Sequence, residues 1–259
     1  MNALIGDIGN TITKICLIET KNFKIKYMFY FKSDKFFSEI YLEKKFKKII
    51  KNKSINKIAL FSSVVPKFQV KLERFLKKFY KVKLKEIKER EIKKIVKINL
   101  KNKYQVGSDR IANAAGVYKQ YNSNCIVLDF GTATTFDVVT KNGNYNGGII
   151  APGVNLSIKS LVSSADQIPF FSIKRQKKII GKNTIEALRS GFYWGYSGLI
   201  NNIILKIEKE TRKKYKIIFT GGFADLFKTT IIRPFTIDRN ITIKGIIEIF
   251  RENKKKLIK

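Results

Sequence analysis

Short apolar stretches alternate with amphipathic, lysine-rich stretches along most of the chain. An apolar run at 3–9 and a partly alternating run at 12–19 predict two strands joined by a tight turn. A helical pattern at 38–53, a strand at 57–64 and a second helical pattern at 67–80 follow. This alternation of strands and helices predicts an α/β lobe at the start of the chain.

The second half of the chain has the same kind of pattern. A helix is predicted over 107–121, and an apolar strand, a Gly/Thr turn and a second strand fill 125–140. A long helix predicted over 182–210 begins with a capping-box pattern of Asn and Glu. A strand at 215–222 ends in a glycine pair and leads into a predicted helical stretch.

Two turns in these halves are similar to each other. The segments 7-DIGNT-11 and 129-DFGTATT-135 share Asp-x-Gly followed by small hydroxyl or amide residues. We interpret this weak repeat as two similar lobes that each offer one turn to a shared cleft. The predicted domains are therefore 1–118 and 119–259, and the boundary rests on the repeat because no Pro/Gly/Ser-rich linker is present.

Composition argues against a membrane-spanning or secreted protein and against a zinc site or a histidine general base. The 259 residues are 44% hydrophobic, and no run approaches the ~20 apolar residues of a membrane span. The N-terminal segment lacks the pattern of a secretory signal. Cys16 and Cys125 are far apart and histidine is absent. We therefore expect a cytoplasmic protein without a zinc site, whose general base is a carboxylate, lysine, tyrosine or water.

The chain is strongly basic, with 53 Lys+Arg against 20 Asp+Glu and a net charge of +33. Such a charge is typical of nucleic-acid-binding proteins. The excess is mostly lysine, spread along amphipathic stretches and accompanied by abundant Ile and Asn. We favour compositional bias over a nucleic-acid partner, since the lysines form no single patch.

The two Asp-x-Gly turns have the residue types of a phosphate site. Glycine lets backbone N–H groups approach phosphate oxygens, and Lys14 adds positive charge. Asp7 and Asp129 can hold a cation directly or through water. Either turn alone is more often structural, but two copies favour a nucleotide site. No GxxxxGK[ST] or GxGxxG motif is present.

Asp109 is the candidate general base. It follows Gly107 and Ser108 at a predicted helix start, where the helix dipole favours an ionised carboxylate. The alternative is an acid that only stabilises the helix N-terminus. Arg110 could pair with a substrate carboxylate or be solvated, and Thr184 could simply begin a helix.

Six motifs in order resemble those of type III pantothenate kinases, which belong to the acetate kinase, sugar kinase, Hsp70 and actin superfamily. They are DIGNT (7–11), GSDR (107–110), DFGTATT (129–135), GGIIAPG (147–153), GKNTIEALRSG (181–191) and TGGFADL (220–226). The resemblance implies an actin-like (ribonuclease H-like) two-lobed α/β fold, each lobe a mixed sheet with flanking helices. It also implies ATP-dependent phosphorylation of pantothenate to 4′-phosphopantothenate.

The resemblance implies roles for individual residues. Asp109 would accept the proton of the pantothenate hydroxyl, and Asp129 would hold K⁺ or NH₄⁺. ATP and Mg²⁺ would be bound by Asp7 (to Mg²⁺ through water), Ile8, Gly9, Asn10, Thr11, Ile12, Thr13 and Lys14, with Thr132, Gly221 and Gly222 on the ATP side. Pantothenate would be contacted by Leu100, Gly107, Ser108, Asp109, Arg110 and Thr184. Members of the family are homodimers, and the helices after 184 would form the contact.

One region departs from the family pattern. Leu100 stands where the family usually has a tyrosine, and Asn102-Lys103 replaces the usual Asn-Pro. Two alternatives to pantothenate phosphorylation therefore stay open from the sequence. One is a same-fold kinase for another small alcohol, and the other is a basic nucleic-acid-binding or regulatory protein on a retired kinase scaffold.

Overall fold

The computed structural model describes residues 1–50 and 54–258, which form two compact units. The first unit contains Met1–Gln120 and the C-terminal segment from Asn240 onward, and the second contains Tyr121–Arg239. No helix within the described ranges is both long enough and apolar enough to cross a bilayer.

The predicted elements lie close to their expected positions, except for the helix expected after Gly222, and the structure contains further strands and helices that were not predicted. The strands are β1 (Asn2–Ile8), β2 (Ile12–Glu19), β3 (Ile25–Lys32), β4 (Ile58–Ser63), β5 (Lys83–Glu86), β6 (Lys97–Ile98), β7 (Cys125–Phe130), β8 (Ala133–Val139), β9 (Asn144–Pro152), β10 (Lys216–Gly221) and β11 (Phe235–Ile237). The α-helices are α1 (Glu39–Ile50), α2 (Pro66–Tyr80), α3 (Ser108–Gln120), α4 (Val154–Ser164), α5 (Thr184–Thr211), α6 (Ile241–Glu252) and α7 (Lys254–Leu257). Short 3₁₀ helices cover Ser33–Phe37 and Lys103–Gln105. The last part of the predicted helix 38–53, residues 51–53, lies outside the described residues.

The two units have equivalent sheets. The first sheet has the order β3-β2-β1-β4-β5, and the five strands of the second unit have the order β9-β8-β7-β10-β11. In each sheet the first three strands are antiparallel and the last two run parallel to the first. The predicted repeat is therefore confirmed at the level of topology, and the mixed α/β class is confirmed with it.

Each unit has a hydrophobic core of its own. In the first, Leu72, Phe75 and Leu76 of α2 pack with Phe46 of α1 against the sheet. In the second, the buried face of α5, including Ile200 and Ile204, packs with β7 and β10. Burial of these apolar faces is the main stabilising contribution to each unit.

The C-terminal helix belongs to the first unit, whereas the sequence placed 119–259 in the second domain. Helix α6 lies against α3 so closely that a Cβ at Gly245 would collide with the backbone of Ala112. Asn253 also exchanges two hydrogen bonds with the backbone of Lys93, of 2.8 and 2.9 Å. These long-range contacts carry no local sequence signal, which is why the division differs from the predicted one.

The helical stretch predicted after Gly222 is wrong. Residues 222–230 form successive turns closed by i→i+3 bonds, such as Thr230 N–H to Phe227 O at 3.1 Å. The hydroxyl of Thr230 lies 2.8 Å from that of Ser197 on α5. The Thr230 hydroxyl also donates to Phe227 O at 3.1 Å, a local side-chain-to-backbone bond of the kind that competes with a regular helix.

Candidate active site

The first Asp-x-Gly turn connects β1 to β2. Gly9 N–H donates to Ile12 O at 3.2 Å, and a Cβ at Gly9 would lie only 2.7 Å from that oxygen. The turn is this tight because residue 9 has no side chain. Asp7 and Lys14 are direct cross-strand partners beside it, so opposite charges flank the turn.

The predicted ATP-binding stretch divides into exposed and buried positions. Asn10, Thr11 and Ile12 are exposed at the tip, while Asp7 and Lys14 are half-buried. Gly9 is also half-buried, and the remaining two residues, Ile8 and Thr13, have fully buried side chains. These two side chains therefore pack in the interior, beneath the exposed tip of the turn.

Hydrogen bonds connect the start of α3, where Asp109 lies, to the strands beside this turn. The Ser108 hydroxyl accepts from Ser63 N–H at 3.0 Å and donates to Ser63 O at 2.7 Å, which fixes the start of α3 to the end of β4. Ser63 is the register partner of Ile8, and Val64 N–H donates to Ile8 O at 3.1 Å. Hydrogen bonds and the backbone between them thus connect the first Asp-x-Gly turn to Asp109.

The Asp109 carboxylate lies in the first turn of α3, as predicted. Its Oδ1 accepts from Arg110 N–H at 2.8 Å and folds back over Gly107, where a Cβ would lie 2.5 Å away. Burial raises the pKa of Asp109 above its ordinary value, against the opposing effects of the Arg110 N–H and the charges of Arg110 and Lys88. Burial therefore outweighs these opposing effects, and a raised pKa makes the carboxylate a stronger base.

A second half-buried carboxylate, Glu86, lies at the end of β5 beside the bonds between Ser63 and Ser108. Burial raises its pKa, and the N–H of Lys88 together with the Ser108 hydroxyl opposes the rise. Its Oε2 accepts from Lys88 N–H at 2.6 Å. No sequence motif contains Glu86, so it could not be singled out before the structure was known.

The second Asp-x-Gly turn connects β7 to β8 in the second unit. Gly131 N–H donates to Ala133 O at 3.0 Å, and Gly131 and Thr132 are both exposed. Gly153, at the end of the GGIIAPG motif, abuts this turn, because a Cβ there would lie 2.7 Å from Gly131 O. This contact places the start of α4 beside the turn.

Asp129 and Gly221 meet at the ends of two neighbouring strands. Gly221 has φ +86°, and a Cβ there would lie 2.6 Å from Phe130 O and 2.7 Å from Asp129 Oδ1. A carboxylate and a carbonyl oxygen, the ligand type that hard cations prefer, therefore lie close together beside this glycine. Asp129 thus fits a K⁺ or NH₄⁺ ligand, and the half-buried Asp7 beside exposed turn donors fits Mg²⁺, which protein sites hold through one or two carboxylates, water and phosphates.

The predicted pantothenate contacts are divided between the two units. Gly107 and the half-buried Arg110 are next to Asp109, whereas the Ser108 hydroxyl bonds both the N–H and the C=O of Ser63. Leu100 is half-buried in the loop before the second 3₁₀ helix. Thr184 is the first residue of α5 in the second unit, after the predicted cap: Asn183 Oδ1 accepts from Glu186 N–H at 2.9 Å.

Thr184 borders an apolar groove of about 650 Å³ along α5. Gly191 and Gly195 lie in its floor, and a Cβ at either would meet nothing within 4 Å. Tyr196 closes one side by donating to Pro152 O at 3.1 Å. Small residues spaced four apart thus leave a smooth exposed apolar surface on this helix.

Comparison with known proteins agrees with these motifs. The family model described as type III pantothenate kinase matches residues 3–206. A protein named type III pantothenate kinase from Pelagibacter ubique is 50% identical over 245 residues, covering 94% of this chain and 96% of its own.

The chain belongs to the type III pantothenate kinase family.

Solved structures agree on the fold. A Baf family protein from Campylobacter jejuni has a TM-score of 0.62 at 22% identity and covers 97% of this chain and 99% of its own. The activator of 2-hydroxyisocaproyl-CoA dehydratase from Clostridium difficile, with bound ADPNP, has a TM-score of 0.57 at 12% identity, covering 98% and 96%. At these identities the likeness shows the fold alone, and the actin-like assignment is confirmed.

Proposed function

We propose that this chain phosphorylates pantothenate with ATP, giving ADP and 4′-phosphopantothenate, the first step of coenzyme A biosynthesis. The reaction is inferred from membership of the type III pantothenate kinase family. The observation that carries the mechanism is the bonded frame that holds Asp109 at the start of α3 and the Gly9 turn at the end of β1. Preorganised charges and donors of this kind are the main source of catalysis in phosphoryl transfer.

Asp109 acts as the general base. As the hydroxyl oxygen of pantothenate forms a bond to the γ-phosphorus, its proton passes to the Asp109 carboxylate, and the bond from that phosphorus to the β–γ bridging oxygen breaks to release ADP. Burial raises the pKa of Asp109, which favours proton transfer from a weakly acidic alcohol. The Arg110 N–H fixes the orientation of the carboxylate.

The two turns bind the nucleotide. The exposed tip of Asn10 and Thr11 approaches the phosphates, with Lys14 adding positive charge and Asp7 holding Mg²⁺ through water. Thr132, Gly221 and Gly222 of the second unit contact ATP. Mg²⁺ would neutralise phosphate charge, and K⁺ or NH₄⁺ at Asp129 would add a monovalent charge.

Pantothenate is bound through groups around Asp109 and α5. Gly107 leaves room for the carboxylate of Asp109, and the planar fork of Arg110 suits the pantothenate carboxylate. Leu100 and Thr184 complete the proposed contacts. The Ser108 hydroxyl contributes indirectly, because it accepts from Ser63 N–H and donates to Ser63 O and so holds the start of α3 in place.

The groove on α5 supports a homodimer. An exposed apolar surface of this kind marks interaction sites, and Gly191 and Gly195 allow a second helix to approach closely. We place the dimer in the cytoplasm, because both cysteines are free and a reducing compartment keeps them so.

A substrate panel tests the proposal. ADP release is measured with ATP and Mg²⁺ in K⁺ and again in Na⁺, using pantothenate and other small primary alcohols as acceptors. We expect the highest kcat/KM for pantothenate and a requirement for K⁺. A higher kcat/KM for another alcohol would replace the substrate, and equal rates in both salts would remove the proposed ion site at Asp129.

A further inference from the structure

Ser33 is a buried polar residue that no motif includes. It follows β3 directly, begins the first 3₁₀ helix and has no exposed surface. A serine in such a position needs hydrogen-bond partners, because a buried hydroxyl without one is costly. All of the partners described for it lie in the Gly9 turn and the strand that leaves it.

Three contacts connect Ser33 to that turn. Its N–H donates to Thr11 O at 2.9 Å, and its hydroxyl donates to Gly9 O at 2.7 Å. The Thr13 hydroxyl lies 2.9 Å from the Ser33 oxygen. Since the Ser33 proton goes to Gly9, Thr13 is the donor in this last bond. Ser33 thus forms hydrogen bonds with the turn and the strand after it at Gly9, Thr11 and Thr13.

These contacts set the orientation of the turn's peptide groups. A trans peptide places its C=O and N–H on opposite sides. Because the carbonyl of Gly9 points to the buried Ser33 hydroxyl, the N–H of Asn10 points away from it, on the side where Asn10 is exposed. An N–H held in this way is a preorganised donor for an anionic oxygen.

We infer that Ser33 is a positioning residue for ATP, which fixes the peptide planes of the Gly9–Thr11 turn so that backbone donors meet the nucleotide phosphates. This inference rests on the proposed function for the identity of the anion. It also explains the buried Thr13, whose hydroxyl completes the hydrogen bonding of Ser33 and need not touch ATP.

The test compares Ser33→Ala with Ser38→Ala. The control removes a hydroxyl five positions later, which accepts from Tyr41 N–H at 3.2 Å on the exposed side of the same segment. Both changes remove a hydrogen bond, but only the first touches the turn. ADP and ATP-analogue affinities are measured by calorimetry, together with KM for ATP, KM for pantothenate and the urea midpoint.

We expect Ser33→Ala to weaken nucleotide binding and raise KM for ATP by about 10- to 100-fold, with KM for pantothenate unchanged, since small displacements of positioning groups have effects of this size. Ser38→Ala should leave every binding constant unchanged. Ser33→Cys, which fills the same space with a weaker donor, is measured alongside for the case that the alanine variant does not fold.

A nucleotide affinity equal to wild type in either folded Ser33 variant would overturn the inference. Failure of the proposed function is a separate result, because it appears as absent pantothenate turnover in the wild-type protein. The nucleotide affinities of the variants then still decide the role of Ser33.

Discussion

Gly221 is the position where the structure makes the sharpest prediction for a single added methyl group. Its φ of +86° lies in the left-handed region, which costs a residue with a Cβ about 1–2 kcal/mol. The added Cβ would lie 2.6 Å from both Phe130 N and Phe130 O. These are backbone atoms of a central strand that cannot move freely, so overpacking adds about 1–3 kcal/mol.

Gly221→Ala should therefore destabilise the protein by about 2–5 kcal/mol, the sum of those two contributions. With an m-value near the upper end for urea, about 3 kcal/mol per M, the midpoint should fall by about 1–2 M. Gly222→Ala is the matched control, because a Cβ there meets only Phe130 O at 4.0 Å. Far-UV circular dichroism in urea measures both variants.

The same substitution should affect the proposed ion site. The Cβ at residue 221 would also lie 2.7 Å from Asp129 Oδ1, so that carboxylate would have to move. Activation by K⁺ should be weaker in folded Gly221→Ala and normal in Gly222→Ala. Equal urea midpoints for the two variants would refute the steric reasoning, and equal K⁺ activation would refute the link to the ion site.

Other changes have equally definite outcomes. Asp109→Asn should lower kcat by about 10²–10⁴-fold in steady-state assays. Because burial raises the pKa of Asp109, the stability it contributes is present at low pH and lost as pH rises through that pKa, so Asp109→Asn should unfold at an equal or higher urea concentration at neutral pH. The same raised pKa predicts that wild-type kcat/KM falls as pH drops through it, which a pH profile measures. Gly245→Ala should lower the urea midpoint through collision with Ala112, whereas Gly198→Ala, with nothing within 4 Å, should not.

Local patterns are enough to predict the strands around the glycine turns in both units. The apolar runs around the two Asp-x-Gly turns predicted β1, β2, β7 and β8 within a residue or two, and the repeat predicted the equivalent sheets. Asp109 was placed correctly in the first turn of α3 because Gly-Ser-Asp is a strong helix-start pattern.

Long-range contacts account for what the sequence could not predict. The bond from Ser33 to Gly9 joins residues 24 positions apart, and no spacing rule predicts it. Helix α6 joins the first unit through contacts with α3 that are separated by more than a hundred residues, such as Thr242 to Asn113 at 2.7 Å. The raised pKa of Asp109 likewise depends on burial, which only the folded chain determines.

The most direct test of pantothenate phosphorylation by this protein is identification of the product. The purified protein is incubated with ATP, Mg²⁺, K⁺ and pantothenate, and the mixture is analysed by mass spectrometry and phosphorus NMR. We expect 4′-phosphopantothenate in equal amount to the ADP formed, with none from Asp109→Asn on the same timescale. ADP without phosphopantothenate, or no nucleotide turnover from folded protein, would contradict the assignment of a pantothenate kinase.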